Sequence, residues 1–190
     1  MMKEYYELNL CGVTRKLPFI DINSTTAFAS FVILGDTELI AAAAPEIAKK
    51  ITDVDAIVTA EAKGIALAYE LSRALGMKEF IVARKSVKSY MKDVVETSVH
   101  SITTKGEQHL YLDGTDAAKI RGKRVLLVDD VISTGESLRA LEDLVKAAGA
   151  EVAGRAAVLA EGDAADRKDI VFLQKLPLFS KNGDEYEVIE

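Results

Sequence analysis

Asp129 and Asp130 stand side by side after the apolar run Val125–Val128. Beyond Val131 and Ile132 come Ser133, Thr134, Gly135, Glu136 and Ser137. Two adjacent carboxylates suit hydroxyl groups to accept from, a hydrated divalent metal, or a developing cation. They do not suit a phosphate, but the loop after them does. Leu138, Leu141, Leu144 and Val145 recur at helical spacing, so the loop opens a helix. Free backbone N–H groups and the positive end of the helix dipole make such a start an anion site. Gly135 lets the backbone come close to the anion. The ordinary alternative is a buried strand followed by a helix with Ser133 or Thr134 as its cap. A doubled acid followed by Thr-Gly and a further hydroxyl is more than a cap requires.

Three other stretches carry chemistry. Ala60-Glu61-Ala62-Lys63-Gly64 forms a second strand-to-helix turn, with charge from Lys63 and room for close approach at Gly64. Taken alone, it is also an ordinary connection. Arg84-Lys85 ends a strand, and the polar loop behind it holds Lys88, Ser89, Tyr90, Lys92 and Asp93. That loop reads either as a solvated basic loop or as a lid that keeps water from a reactive cation. Leu17-Pro18-Phe19-Ile20-Asp21-Ile22 is an apolar segment with one acid, a strand covering the core. His100 and His109 lie apart from these loops and read as structural.

The elements that must position these residues follow from pattern. Residues 3–10 and 13–22 read as a hairpin around Cys11-Gly12. Residues 36–50 read as a helix capped by Asp36 and kinked or divided at Pro45. Strands are expected over 55–60, 79–84, 124–129, 152–160 and 170–173, and helices over 64–75 and 136–148. An antiparallel pair, 95–103 with 108–113, interrupts the alternation through Lys105-Gly106. Val125–Val128 fits a strand buried on both faces. Strand–helix alternation implies a parallel sheet with helices on both faces. Such sheets place ligands at the carboxyl ends of their strands.

Composition narrows the class. The chain has 190 residues, 49% of them hydrophobic, which suits one domain with a sizeable core. One cysteine excludes an internal disulfide and fits a reducing, cytoplasmic setting. No signal peptide is visible, and Asp36 and Glu38 break the most apolar window, so no membrane span is expected. The net charge of −6 argues against a nucleic-acid binder. Neither G-x-x-x-x-G-K-[ST] nor G-x-G-x-x-G occurs, which counts against a generic nucleotide-binding module.

The stretch Val125–Ser137 resembles the phosphoribosyl-pyrophosphate signature of the type I phosphoribosyltransferases, and the resemblance runs from about Leu17 to Leu178. It implies a doubly wound parallel α/β sheet with a small N-terminal hood over residues 1–35, a core domain over 36–190, and a β-hairpin flap. By that resemblance Asp129 and Asp130 meet the ribose hydroxyls. Ser133, Thr134, Gly135, Glu136 and Ser137 wrap the 5′-phosphate. Glu61, Ala62, Lys63 and Gly64 stand where the family carries its pyrophosphate loop, with Glu61–Ala62 as the peptide bond that is often cis. Arg84 and Lys85 precede the family's flexible loop, in which Lys88 and Tyr90 are further substrate-binding candidates.

The adenine branch carries S-Y-x-x-E-Y in that loop. Ser89-Tyr90-Met91-Lys92-Asp93-Val94 departs from it, so Asp93 and Glu96 are both candidates for the acid–base residue. The loop's length and the following V-H-S-I-T-T are similar to the xanthine-type branch. Phe19 and Ile20 match the hood segment that packs on the purine and reads its edge. The implied activity is purine phosphoribosyl transfer with Mg²⁺, held mainly through substrate and water, in a homodimer. Adenine is the first choice of base and xanthine or another 6-oxopurine the second. A regulator that senses phosphoribosyl pyrophosphate is a further alternative, against which the acidic chain offers no obvious DNA surface.

Overall fold

The computed structural model describes residues 4–100, 107–183 and 185–189. In chain order the elements are β1 (Tyr5–Leu10), β2 (Val13–Asp21), β3 (Thr26–Ala29), α1 (Thr37–Ala48), β4 (Ala56–Ala60), α2 (Ile65–Ala74) and β5 (Ile81–Ala83). There follow β6 (Val95–His100), β7 (Glu107–Leu112), α3 (Gly114–Ile120), β8 (Arg124–Ile132), α4 (Glu136–Ala147) and β9 (Glu151–Glu161). A short 3-10 turn (Gly162–Asp166), β10 (Gln174–Leu176), β11 (Leu178–Asn182) and β12 (Glu185–Ile189) complete the chain.

The central sheet is wholly parallel, in the order β10-β9-β8-β4-β5. Numbered along the chain, that is 2-1-3-4-5, so the winding reverses between β4 and β8, where an open α/β sheet leaves its ligand crevice. Side chains alternate between the two faces. Leu126 and Val128 join one core with Ile57, Leu67 and Leu71, on the side of α1 and α2. Val125 and Leu127 join the other with Leu141 and Leu144 of α4 and Ile120 of α3. Helices on both faces make the sheet doubly wound, and the run Val125–Val128 is fully buried, as its composition predicts.

Several boundaries move from their sequence-based positions. β8 continues through the two acids to Ile132 rather than stopping at Asp129. Residues 170–173 are not a regular strand. Val171 makes an isolated bridge to Ala156, and the ladder proper is β10. Asp169, held by Arg167 and Arg155, anchors the chain just before that point. Helix α1 is capped by Asp36, which accepts from the Leu39 N–H, and it runs on through Pro45 undivided. Arg15 grips Asp36 with two hydrogen bonds, 2.7 and 2.9 Å, tying β2 to the helix start. This charge pairing holds the Asp36 carboxyl below its usual range.

The hood is a second sheet, ordered β1-β2-β3-β11-β12. β1 and β2 form the expected hairpin. Its other half comes from residues 178–189, so a division at residue 35 does not enclose it. Asp21 of β2 is paired with Lys181 of β11 across the sheet. The β6–β7 hairpin packs on α4 and joins β5 through the reciprocal backbone bonds of Arg84 and Tyr111. Its turn at Lys105-Gly106 and the His100 side chain lie outside the described residues. His109 pairs with Glu96 at 2.8 Å and stacks on Tyr111, in keeping with a structural role.

Candidate active site

Two loops meet at the winding reversal. The first follows β4 and opens α2, and the second follows β8 and opens α4. Both helices begin at glycine, Gly64 and Gly135, and neither start has a side-chain cap. The capping alternative for Ser133 and Thr134 is therefore not what the chain adopts. Gly135 takes a left-handed backbone, φ 80°, which glycine enters without a Cβ penalty. Its open flank is filled from behind: a Cβ there would lie 2.9 Å from the Arg167 guanidinium. Gly64 has no such latitude. A Cβ there would lie 2.4 Å from Thr59 Oγ1 and 3.3 Å from the Asp129 Cα, so α2 starts in contact with β8. The Glu61–Ala62 peptide is cis, as the resemblance implies.

A cavity of about 460 Å³ opens between these loops and the hood. It falls in the range of small-molecule sites. Glu61, Ala62 and Lys63 line one side, Ser133, Thr134, Gly135 and Ser137 another, with Asp129 between them. Asp130 sits behind, with its side chain 1% exposed. Alternation along β8 turns it toward the α2 face, where Lys63 Nζ meets its Oδ1 at 3.1 Å. The Val131 N–H donates to the same oxygen, and the Asp130 N–H donates to Asp129 Oδ1 at 2.8 Å. Asp130 Oδ2 is buried with no partner among the described residues. Burial, and after it the charge of Asp130, push the Asp129 carboxyl well above its ordinary range.

The first loop is braced from outside the cavity. Glu61 Oε1 accepts the Lys85 N–H at 2.5 Å, and its Oε2 lies 3.0 Å from Arg84 Nε. Arg84 therefore supports Glu61 from behind, and of this basic pair only Lys85 reaches the cavity wall.

A family model of the phosphoribosyl transferase domain matches residues 33–187. The chain belongs to the type I phosphoribosyltransferase family. It is 35% identical over 162 residues to the HGPRTase-like protein 3 of Haloterrigena turkmenica, covering 82% of each chain. It is 36% identical over 116 residues to xanthine phosphoribosyltransferase 1 of Clostridium perfringens, covering 60% of each. In that second match the chain spans less than two thirds of the relative's length. In fold it resembles the adenine phosphoribosyltransferase of Thermoanaerobacter pseudethanolicus, with a TM-score of 0.65 at 22% identity over 91% of this chain and 96% of that one.

Against the phosphoribosyltransferase pattern, the structure redistributes several candidates. Gly64 and Glu136 shape the two helix starts without lining the cavity. Lys88, Tyr90 and Asp93 lie off it, as does Glu96, which is committed to His109. The polar loop is tied away from the cavity at its far end. The Lys92 N–H donates to Asp113, and the Gly114 N–H to the Lys92 carbonyl.

Phe19 and Ile20 are also displaced. Phe19 stacks on Tyr186, centroids 4.2 Å apart, and meets Phe179 edge-on, while Ile20 is 44% exposed. The hood residues at the cavity are Ile22, Phe28, Ala29 and Phe31. Sequence reasoning also passed over Glu161, the last residue of β9, which lines the cavity. Its signal was present: like Asp129, it ends a buried apolar run, here Ala156–Ala160.

Proposed function

We propose that this chain transfers the phosphoribosyl group of phosphoribosyl pyrophosphate to a purine base, releasing pyrophosphate and forming the nucleoside monophosphate. The observation that carries this reading is the meeting of two uncapped helix starts around an acid pair in one cavity. Two anion sites separated by carboxylates match a donor with a phosphate at one end, a pyrophosphate at the other and sugar hydroxyls between.

The base nitrogen's lone pair attacks C1 of the sugar, and the bond from C1 to the pyrophosphate oxygen breaks, its electron pair leaving with the pyrophosphate, while the imidazole N–H proton of the purine passes to water or to the departing pyrophosphate. Positive charge develops at C1 and the ring oxygen. Asp129 accepts from the sugar hydroxyls, and Asp130, buried behind it, adds its charge against the developing cation. Backbone N–H groups from Ser133 to Ser137 hold the 5′-phosphate. Glu61, Ala62 and Lys63 hold the pyrophosphate, with Gly64 allowing the approach and Arg84 and Lys85 bracing the loop. Fixed dipoles and aligned reactants supply the rate enhancement.

Among the described residues no group of three or more His, Cys, Asp or Glu could by itself cage a metal. The donor set fits Mg²⁺ held through the donor's oxygens and water, with the carboxylates facing it, which is the habit of that ion. Bound there, it would neutralise the departing pyrophosphate.

The hood covers the base, with Phe28 in the packing role expected of Phe19. Adenine is our first reading, from the hood segment and the S-T-G-E-S loop. A 6-oxopurine is the second, favoured by the names of the two sequence relatives. No described helix is long and apolar enough to cross a membrane. Exposed Cys11 fits a reducing cytoplasm. A homodimer is the expected assembly, which light scattering tests. The decisive experiment incubates the chain with labelled phosphoribosyl pyrophosphate, Mg²⁺ and a panel of purines. Nucleotide product with released pyrophosphate is expected, and no transfer to any purine would remove the reading.

A further inference from the structure

Glu161 closes β9 and lines the cavity. Three acids line the cavity, and two of them are engaged. Glu61 receives Lys85 and Arg84, and Asp129 receives the Asp130 N–H. The Glu161 side chain makes no hydrogen bond or ion pair among the described residues. The charge that acts on it across the cavity is that of Lys63, while its burial pushes its pKa up. A half-buried carboxylate without a donor carries a desolvation cost that a bound N–H would relieve.

Strand register places it beneath the hood, next to the start of the 5′-phosphate loop, since Ala160 pairs with Ile132, and away from the pyrophosphate loop. Glu161 lies opposite Leu176 of β10, itself a cavity residue. The next residue, Gly162, stands against Leu178, since a Cβ there would meet the Leu178 Cδ1 at 3.3 Å. Leu178 is in turn the ladder partner of Phe28. The strand order puts β9 on the far side of β8 from β4, and so away from the pyrophosphate loop. Glu161 thus flanks the space between Phe28 and the sugar position, where the base would lie.

We propose that Glu161 is a base-contacting residue, accepting a hydrogen bond from a ring or exocyclic N–H of the purine. An ionised carboxylate only accepts, so it favours an edge that offers N–H and repels one that offers a carbonyl oxygen. This rests on the purine-transfer reading and adds the residue that selects the base. It also supplies the acid that the polar loop does not bring to the cavity, since Asp93 and Glu96 both lie off it.

The test compares wild type with Glu161→Gln and Glu161→Asp in steady state, varying base and donor separately over a panel of amino- and oxopurines. The expected result for Glu161→Gln is a rise in KM for the preferred base of about ten- to a hundredfold, the loss typical of a charged hydrogen bond. Donor KM should stay within about twofold. The preference should move toward carbonyl-bearing bases, because the amide can donate, and Glu161→Asp should recover part of the loss. Unchanged base KM, or equal rises for base and donor, overturns the assignment. Circular dichroism of each variant separates misfolding, in which case the Glu161→Asp comparison decides. Transfer by wild type to no purine at all would instead strike the underlying reading.

Discussion

Lys63 Nζ stands 3.1 Å from the buried Oδ1 of Asp130, so the loop proposed to hold pyrophosphate also places a cation against the rear acid of the pair. Lys63 is half exposed, and the pair's energy is correspondingly screened. The donor's arrival would offer Lys63 a second anion. Lys63→Ala is expected to weaken pyrophosphate and phosphoribosyl pyrophosphate by about tenfold or more, and a nucleoside monophosphate far less. Titration calorimetry with the three ligands checks this, and equal weakening of all of them would refute the loop's role.

Asp129→Asn removes the carboxylate that faces the sugar. We expect kcat/KM to fall at least a hundredfold, about 2.7 kcal/mol of lost transition-state stabilisation, with the fold retained. Asp130→Asn differs, because Asp130 is fully buried and meets a cation there. It should lower thermal stability as well as activity. Near-wild-type rates in a folded Asp129→Asn protein would argue against the assignment.

Asp129 also makes donor binding pH-dependent. Its pKa is raised from 3.8 to about 7, chiefly by burial and next by Asp130. Between those values the folded chain keeps a proton that the unfolded chain has lost, so this group's contribution to stability declines as pH rises through the window. A donor and cation that prefer the ionised pair must displace that proton. Donor affinity should therefore rise from pH 6 to pH 8, with net proton release in calorimetry across buffers of different ionisation heat. The slope should flatten in Asp129→Asn, which separates it from titration of the donor itself.

Gly64→Ala should be costly because its Cβ would press on Thr59 Oγ1 at 2.4 Å. Overpacking of this kind costs about 1–3 kcal/mol. The Thr59→Ala change empties that position and should recover part of the loss in the double variant. Thermal melts of the four proteins form the cycle, and additive losses would show that the contact is not the cause.

The chemistry legible in sequence was the contiguous part. Val125–Ser137 holds strand, acids, loop and helix start in thirteen consecutive residues, and Ala60–Gly64 is as compact. What escaped depends on distant pairings. Phe28 rather than Phe19 reaches the cavity because β3 is clamped between β2 and β11, and Phe19 is taken up by Phe179 and Tyr186. No local pattern around residue 19 announces a partner at 186. Glu161 had a local signal but no motif. Helix α3 is one short segment following directly on β7, and its cap, Asp113, continues the strand pattern of the residues before it. The C-terminal hairpin was not anticipated, because its side chains pair with a sheet begun at the other end of the chain.

That last pairing has a consequence for synthesis. β3 finds its neighbour, β11, 150 residues further along, at Phe28 with Leu178. On a ribosome, β1 to β3 emerge before β11, so the outer edge of β3 stays open until residues 178–180 have been made. The strands and helix starts that bound the crevice between β4 and β8 are all made by the end of α4, well before β11. A nascent chain would thus acquire its grip on phosphates before it acquires a roof for the base, and the exposed edge of β3 is the place where a stalled chain would aggregate.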